Sequence, residues 1–409
     1  MLDSVQVQDV EVPFGIDEIF FSRTDGRGVI EAGNSVFQRV SGYSWDRLIN
    51  APHKLIRHPE MPKGVFHLFW ERIKAGQPTG AYVCNSSSDG RFYWVFAVIV
   101  PQENGYLSVR IKPTSEMLYK VKEVYAELRT AEKMGRVPAD SAESLVQRLA
   151  ELGFPSYDSF QARALATELQ NRDRQLGGAG TLRSETLAAA EAADQIEIAL
   201  NGMQSMFAEA LRIALNLRIA ASQLGELGRP VSAISDNYAL LANDMVDWLN
   251  TRALDETIGF GGIARSVSEN LFLLNSADLL SEMAEAFAKD ESLGEGDAFA
   301  EQARLNAVAA DYGDKAQDCQ IRTMRQAATV DSHLAEMRKH VTALNSIRML
   351  CRIEGATLRH TGVSLDEIGS QLDGFQDEIG RRLVGITSLG QQVQWTTSHD
   401  LGGQQKRRA

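Results

Sequence analysis

The sequence predicts an α+β domain at the N-terminus, a five-stranded antiparallel sheet with short helices, followed by an all-α coiled coil or helical bundle. Three observations predict it. Between Ile19 and Ile111 short apolar runs alternate with Gly, Pro, Asn and Asp punctuation. Beyond Thr114 apolar residues instead recur at steps of three and four over long spans. Between the strand-rich halves of the first region lies a cationic, proline-bounded stretch, Arg57-His58-Pro59-Glu60-Met61-Pro62, placed as a ligand-facing segment.

Ile19 to Arg23 reads as a strand, Thr24 to Gly28 as a turn, and Val29 to Ala32 as a second strand. Asn34 is positioned to cap a short helix carrying Val36, Phe37 and Val40, which Gly42 ends. Val65, Phe66, Phe69, Trp70 and Ile73 share one face of a longer helix closed by Gly76 and Pro78. Ala81–Ser86, Arg91–Pro101 and Tyr106–Ile111 complete the sheet, with turns at Asp89-Gly90 and Asn104-Gly105.

Bulk properties exclude several classes. At 409 residues with 44% hydrophobic side chains the chain supports more than one domain. A formal charge of -12 opposes general nucleic-acid binding, the only basic run being Lys406-Arg407-Arg408. Cys84, Cys319 and Cys351 are too scattered for a metal-ligand pair and fit a reducing compartment. No apolar run approaches the roughly 18–20 residues of a membrane span, and the N-terminus is acidic, so the expected location is cytoplasmic.

Asn34-Ser35-Val36-Phe37, Val40-Ser41-Gly42-Tyr43, Pro52-His53, Arg57 to Pro62, Phe66, Trp70 and Tyr93-Trp94-Val95 resemble the flavin-binding PAS domain of bacterial aerotaxis receptors. The resemblance implies a PAS fold, non-covalent FAD, and the flavin's redox state as the signal. It carries flavin contacts to Asn34, Arg57, His58, Phe66, Asn85 and Trp70. The chemistry suits them: aromatic walls from Phe66, Trp70 and Trp94, amides from Asn34 and Asn85, and cationic partners for a diphosphate in Arg57 and His58. Glu60 stands where the family has Asp, and Thr79 where it has Trp.

After Thr114, Met117, Val121, Val124, Leu128 and Ala131 mark a helix leaving the sensor, interrupted at Gly135 to Asp140. Further helices flank Gly153-Phe154-Pro155, and Gly177-Gly178-Ala179-Gly180 reads as a flexible joint. Ile196, Leu200, Met203, Phe207, Ala210, Ala214 and Leu217 form a heptad seam. It resumes beyond Gly225-Glu226-Leu227-Gly228 at Val231, Ile234, Tyr238, Leu241, Met245 and Trp248, predicting an antiparallel hairpin in which Pro230 is tolerated in the first turn.

This hairpin resembles the signalling tip of methyl-accepting chemotaxis receptors at Ala214-Leu215-Asn216, Ile219, Ala221, Gly225-Glu226, Gly228-Arg229 and Leu241-Ala242. Ala220, Gln223, Pro230 and Val231 depart from that pattern. The resemblance implies a homodimer and partner contacts to a chemotaxis coupling protein or histidine kinase through Asn216, Ile219, Gly225, Glu226, Gly228 and Arg229. Residues 262–290, the stripe from Ala327 through Leu344 to Cys351, and 362–396 supply further helices, and Ala343-Leu344-Asn345 repeats the earlier tripeptide.

No catalytic or metal-binding constellation emerges. His333 lacks the ATP-binding domain a kinase needs, and Asp255-Glu256 and Glu295 with Asp297 read as solvated linkers. The expected layout is a PAS sensor at 1–113, a connector at 114–178, a signalling hairpin at 179–260 and a C-terminal helical segment at 261–409. The expected function is non-enzymatic redox or oxygen sensing. The competing reading is a PAS interaction or scaffold protein whose pocket is empty or differently liganded.

Overall fold

The computed structural model describes residues 8–178, 181–255, 259–290, 295–358 and 365–408. Ala179 and Gly180 of the expected joint, and Glu256 of one carboxylate pair, lie outside the described residues. The chain forms two compact units, Met1–Leu187 with Ser268–Cys319, and Ala188–Val267 with Gln320–Ala409.

In the first unit the strands are β1 (Phe20–Asp25), β2 (Ile30–Gly33), β3 (Thr79–Ser86), β4 (Phe92–Gln102) and β5 (Gly105–Ile111). They form the expected five-stranded antiparallel sheet, in the order β2-β1-β5-β4-β3. Short helices α1 (Ser35–Ser41) and α2 (Trp45–Leu48), a 3₁₀ turn at His53–Ile56 and the longer α3 (Lys63–Lys74) follow between β2 and β3. Asn34 caps α1 as expected: its Oδ1 accepts from Phe37 N at 3.1 Å and Phe21 N at 3.0 Å.

Strand alternation assigns two faces. Ser22, Ser108, Ile99 and Thr79 lie in one cross-strand row, and Phe20, Arg110 and Ala97 in the next, all facing α1–α3. The intervening residues face outward, where α4 (Glu116–Lys133), α6 (Tyr157–Gln175) and α9 (Phe260–Phe287) meet them. Phe21 packs edge-on to Phe287 at 4.9 Å, and Tyr82 contacts Phe96 and Phe160. Arg172 of α6 donates to both carboxylate oxygens of Glu282 on α9, at 2.7 and 2.6 Å. α5 (Pro138–Glu151) packs on α3, where Gly64 lies so near Ser141 that a Cβ would stand 2.5 Å from its hydroxyl.

In the second unit α7 (Thr181–Gln223) and α8 (Arg229–Trp248) form the expected hairpin. Its turn, Gly225–Gly228, needs glycine twice: Gly225 has φ +58°, and a Cβ on Gly228 would stand 1.9 Å from the Ala221 carbonyl. α11 (Val330–Leu358) and α12 (Asp366–Arg408) pack against this hairpin. Between α9 and α11 runs α10 (Glu295–Ala327), so Glu295 and Asp297 belong to a helix rather than to the expected linker. A run of polar residues had hidden that helix from a periodicity argument. The repeated tripeptide is not structurally equivalent either: Ala214 is buried with Leu215 exposed, whereas Leu344 is buried.

Candidate functional site

The spacing Phe66, Phe69, Trp70, Ile73 puts these side chains on the face of α3 turned to the sheet. A cavity of about 220 Å³ separates them from Val83, Asn85, Ala97, Ile99, Tyr106, Ser108 and Arg110. The aromatic rings meet edge to face, Phe69 to Trp70 at 6.0 Å and Trp70 to Tyr106 at 5.5 Å. Arg57 enters from the loop before α3, its guanidinium 3.4 Å above the centre of the Phe66 ring.

The opposite end is polar and cationic. Arg110 Nη2 donates to Ser22 Oγ and to His53 Nε2, each at 2.8 Å. A guanidinium offers only donors, so His53 accepts at Nε2 and carries its proton on Nδ1. Burial, reinforced by the charges of Arg110 and Arg57, pushes the His53 pKa well below the ordinary imidazole value. Burial also lowers that of Arg110 to about 10. Asn85 Nδ2, Ser108 Oγ and Arg110 Nη1 are buried among the described residues without a hydrogen-bond partner. Three orphan polar atoms at the edge of an apolar slot are costly unless a ligand satisfies them.

Of the residues expected at a flavin site, Arg57, Phe66, Trp70 and Asn85 line the cavity. Asn34 does not reach it: both ends of its amide are used locally, Oδ1 in the cap and Nδ2 donating to the Ile19 carbonyl at 2.7 Å. His58 points the other way. It lines a separate surface depression with Glu60, Met61 and Cys84, and its Nδ1 accepts from Glu60 N at 3.2 Å. Trp94, expected as a wall, is the cross-strand partner of Cys84 and lies on the outer face, beneath the ammonium of Lys122 at 5.0 Å. The strand register explains this: Tyr93 and Val95 point inward, so Trp94 cannot.

Thr79 is buried on the inner face, opposite Ile99, with its hydroxyl donating to the Gln77 carbonyl at 3.2 Å. Ser22, His53, Tyr106, Ser108 and Arg110 also line the cavity, and the sequence alone assigns none of them a ligand contact. A signal was available: in Tyr106-Leu107-Ser108-Val109-Arg110 the polar residues take the alternate positions of a buried strand. Next to the cavity mouth, Arg27, Lys63 and Lys74 join Arg57, Phe66 and Trp70 around a basic surface depression that also holds His67 and Glu71.

Residues 31–109 match the family described as PAS fold. This segment is a PAS domain. The chain is 34% identical to the aerotaxis receptor of Escherichia coli (strain K12) over 152 residues, 36% of the chain and 29% of that receptor. It is 30% identical over 86 residues to the nitrogen fixation regulatory protein of Klebsiella pneumoniae, covering 21% of the chain and 17% of that protein. The matches therefore span less than a third of either relative. Among solved structures, the light state of the Aureochrome1 LOV photoreceptor aligns with a TM-score of 0.22 and 24% identity, over 28% of this chain and 89% of that one. The chain thus contains a PAS domain, and the two relatives it resembles there are a receptor and a regulatory protein.

At the hairpin tip Asn216, Ile219, Gly225, Glu226 and Arg229 are exposed and Gly228 is buried. Arg229 pairs with Glu226 at 2.7 Å. Among the described residues no helix is long and apolar enough to cross a membrane, and no cluster of three or more His, Cys, Asp or Glu is placed to hold a metal ion.

Proposed function

We propose that the PAS domain holds FAD non-covalently and that the chain is a cytoplasmic redox or oxygen sensor acting on a chemotaxis-type pathway. The observation that carries this reading is the set of orphan atoms, Asn85 Nδ2, Ser108 Oγ and Arg110 Nη1, facing an aromatic wall across a narrow cavity. Such a slot suits a flat heteroaromatic ring with a polar edge. Phe66 and Trp70 hold the ring faces, Asn85, Ser108 and Arg110 its polar edge, and Arg57 with the basic mouth its diphosphate. When bound, the flavin supplies reversible electron uptake at the ring. Neutral His53 keeps Arg110 oriented, while Asn34 and His58 support the surrounding loops.

In this reading 1–113 senses, 114–178 connects, 179–260 carries the tip, and 261–409 completes the helical output. Asn216, Ile219, Gly225, Glu226, Gly228 and Arg229 meet the coupling protein or histidine kinase. The expected homodimer is part of the same reading. The test is the visible absorbance spectrum of the purified protein, before and after dithionite. A flavin spectrum that bleaches, and is lost in Asn85→Ala, supports the reading. A featureless spectrum unchanged by added FAD overturns it. The second reading, a PAS interaction protein with another ligand or none, is favoured by Thr79, which leaves the inner face without the family's aromatic residue.

A further inference from the structure

The second unit closes on itself. α7 meets α8 where Ser235 Oγ donates to the Ala214 carbonyl at 2.6 Å. α8 meets α11 where Trp248 lies 6.3 Å from the His333 ring and 6.4 Å from that of His340. α11 meets α12 where Arg348 and Arg352 both bind Asp373, at 2.9 and 2.7 Å. α12 returns to α7 where Phe375 packs edge-on to Phe207 at 5.5 Å. Every neighbour in this ring of four is antiparallel, the up-down-up-down arrangement of a complete four-helix bundle.

Heptad helices usually leave one apolar seam for a second copy. Here the central layer is filled from one chain: Phe207, Tyr238, Met337 and Ile379, one from each helix, are exposed by 1% or less. A second hairpin could take the same place on the α7–α8 seam only by displacing α11 and α12, which would uncover those side chains to water.

We infer that α11–α12 stands on α7–α8 in the place that the hairpin of a second copy would take. The output bundle is then the property of one chain. Each molecule presents one tip edge, at Asn216 to Arg229, and the stoichiometry toward a tip-binding partner is one per 45.0 kDa chain. This does not depend on what the PAS cavity holds.

Arg252, just beyond α8, and Glu336 of α11 provide the test, because their side chains meet at 3.2 Å across the two hairpins and are 57% and 37% exposed. The full-length double variant Arg252→Cys/Glu336→Cys is treated with a short bis-maleimide under native conditions, where Cys84, Cys319 and Cys351 are buried. The expected product on denaturing electrophoresis is a single chain of altered mobility, absent from the parent protein, even if copies associate through other surfaces. A covalent dimer of about twice the chain mass would show that a second copy supplies α11–α12 and would overturn the inference. Failure to link at all would separate α8 from α11 and overturn it too. Mixing the two single variants before linking gives the independent reading: a heterodimeric product contradicts the closed bundle, and its absence agrees with it.

Discussion

The hydroxyl of Tyr82 donates to Oε1 of Glu168 over 2.7 Å, deep inside the first unit. The same carboxylate accepts from Ser115 Oγ at 2.5 Å, Thr114 N at 2.7 Å and Ser115 N at 3.0 Å. One buried side chain on α6 therefore ties β3, the strand carrying Asn85, to the segment that starts α4. Burial and the adjacent carboxylate push the Tyr82 pKa well above its ordinary value, so the phenol remains a donor. Glu168→Ala strands four donors and is expected to lower unfolding stability by about 3 kcal/mol, whereas Tyr82→Phe costs about 1 kcal/mol. Urea unfolding of both variants checks the ranking. Equal losses would contradict the tie.

Glu132 of α4 performs a similar task at the loop that precedes α3. Its carboxylate accepts from Lys63 N and Gly64 N at 2.8 Å each and from Ser141 Oγ at 2.7 Å, capping α3 where Pro62 offers no cap. Glu132→Ala is expected to cost about 2 kcal/mol and to raise tryptic cleavage at Arg57 and Lys63. Unchanged cleavage would show that the loop is held by other contacts.

Acid should weaken the PAS unit. The folded His53 pKa is depressed, so below about 6.5 the unfolded chain takes up a proton that the folded one refuses. The stability tied to neutral His53 is complete above that pH and is lost as the pH falls toward the lowered folded value. Melting temperature measured from pH 8 to about 5 should fall less steeply in His53→Gln than in the parent. Parallel curves would remove His53 as the cause.

Arg110 is buried, and no carboxylate among the described residues pairs with it. A buried cation with no carboxylate partner is a stability liability. Arg110→Met is expected to leave the melting temperature of ligand-free protein unchanged or higher, while abolishing retention of any chromophore through purification. A large drop in the melting temperature would make Arg110 a structural residue.

The turn of the α7–α8 hairpin gives the simplest steric prediction. Gly228→Ala forces a methyl against the Ala221 carbonyl, whereas Gly225→Ala only strains a positive φ, at about 1 kcal/mol. Thermal melts should rank Gly228→Ala as the more damaging substitution.

Much of this fold was legible because local rules and tertiary context agree. Asn34 capped as its position demanded, and Phe66, Phe69, Trp70 and Ile73 faced the cavity as their spacing demanded. What periodicity could not supply was which side of the sheet a strand residue takes. Only the β3–β4 register puts Trp94 on the outer face, and a lone arginine in a strand resembles a surface residue, which conceals Arg110. His58 and Arg57 are adjacent, yet consecutive residues of an extended segment point to opposite sides, and they line different depressions. The closing of four helices from one chain was likewise invisible, since a heptad seam does not say whose helix will fill it.

The α9 cover bears on whether the PAS sheet can be moved to another protein. Phe21 packs on Phe287, and a Cβ on Gly80 would strike Phe272, both on α9, far beyond the sheet in sequence. A graft that carried only the first 113 residues onto a foreign output would bare that oily underside and should aggregate. The sheet is therefore not a cassette: its floor is encoded in α9, a helix far along the chain.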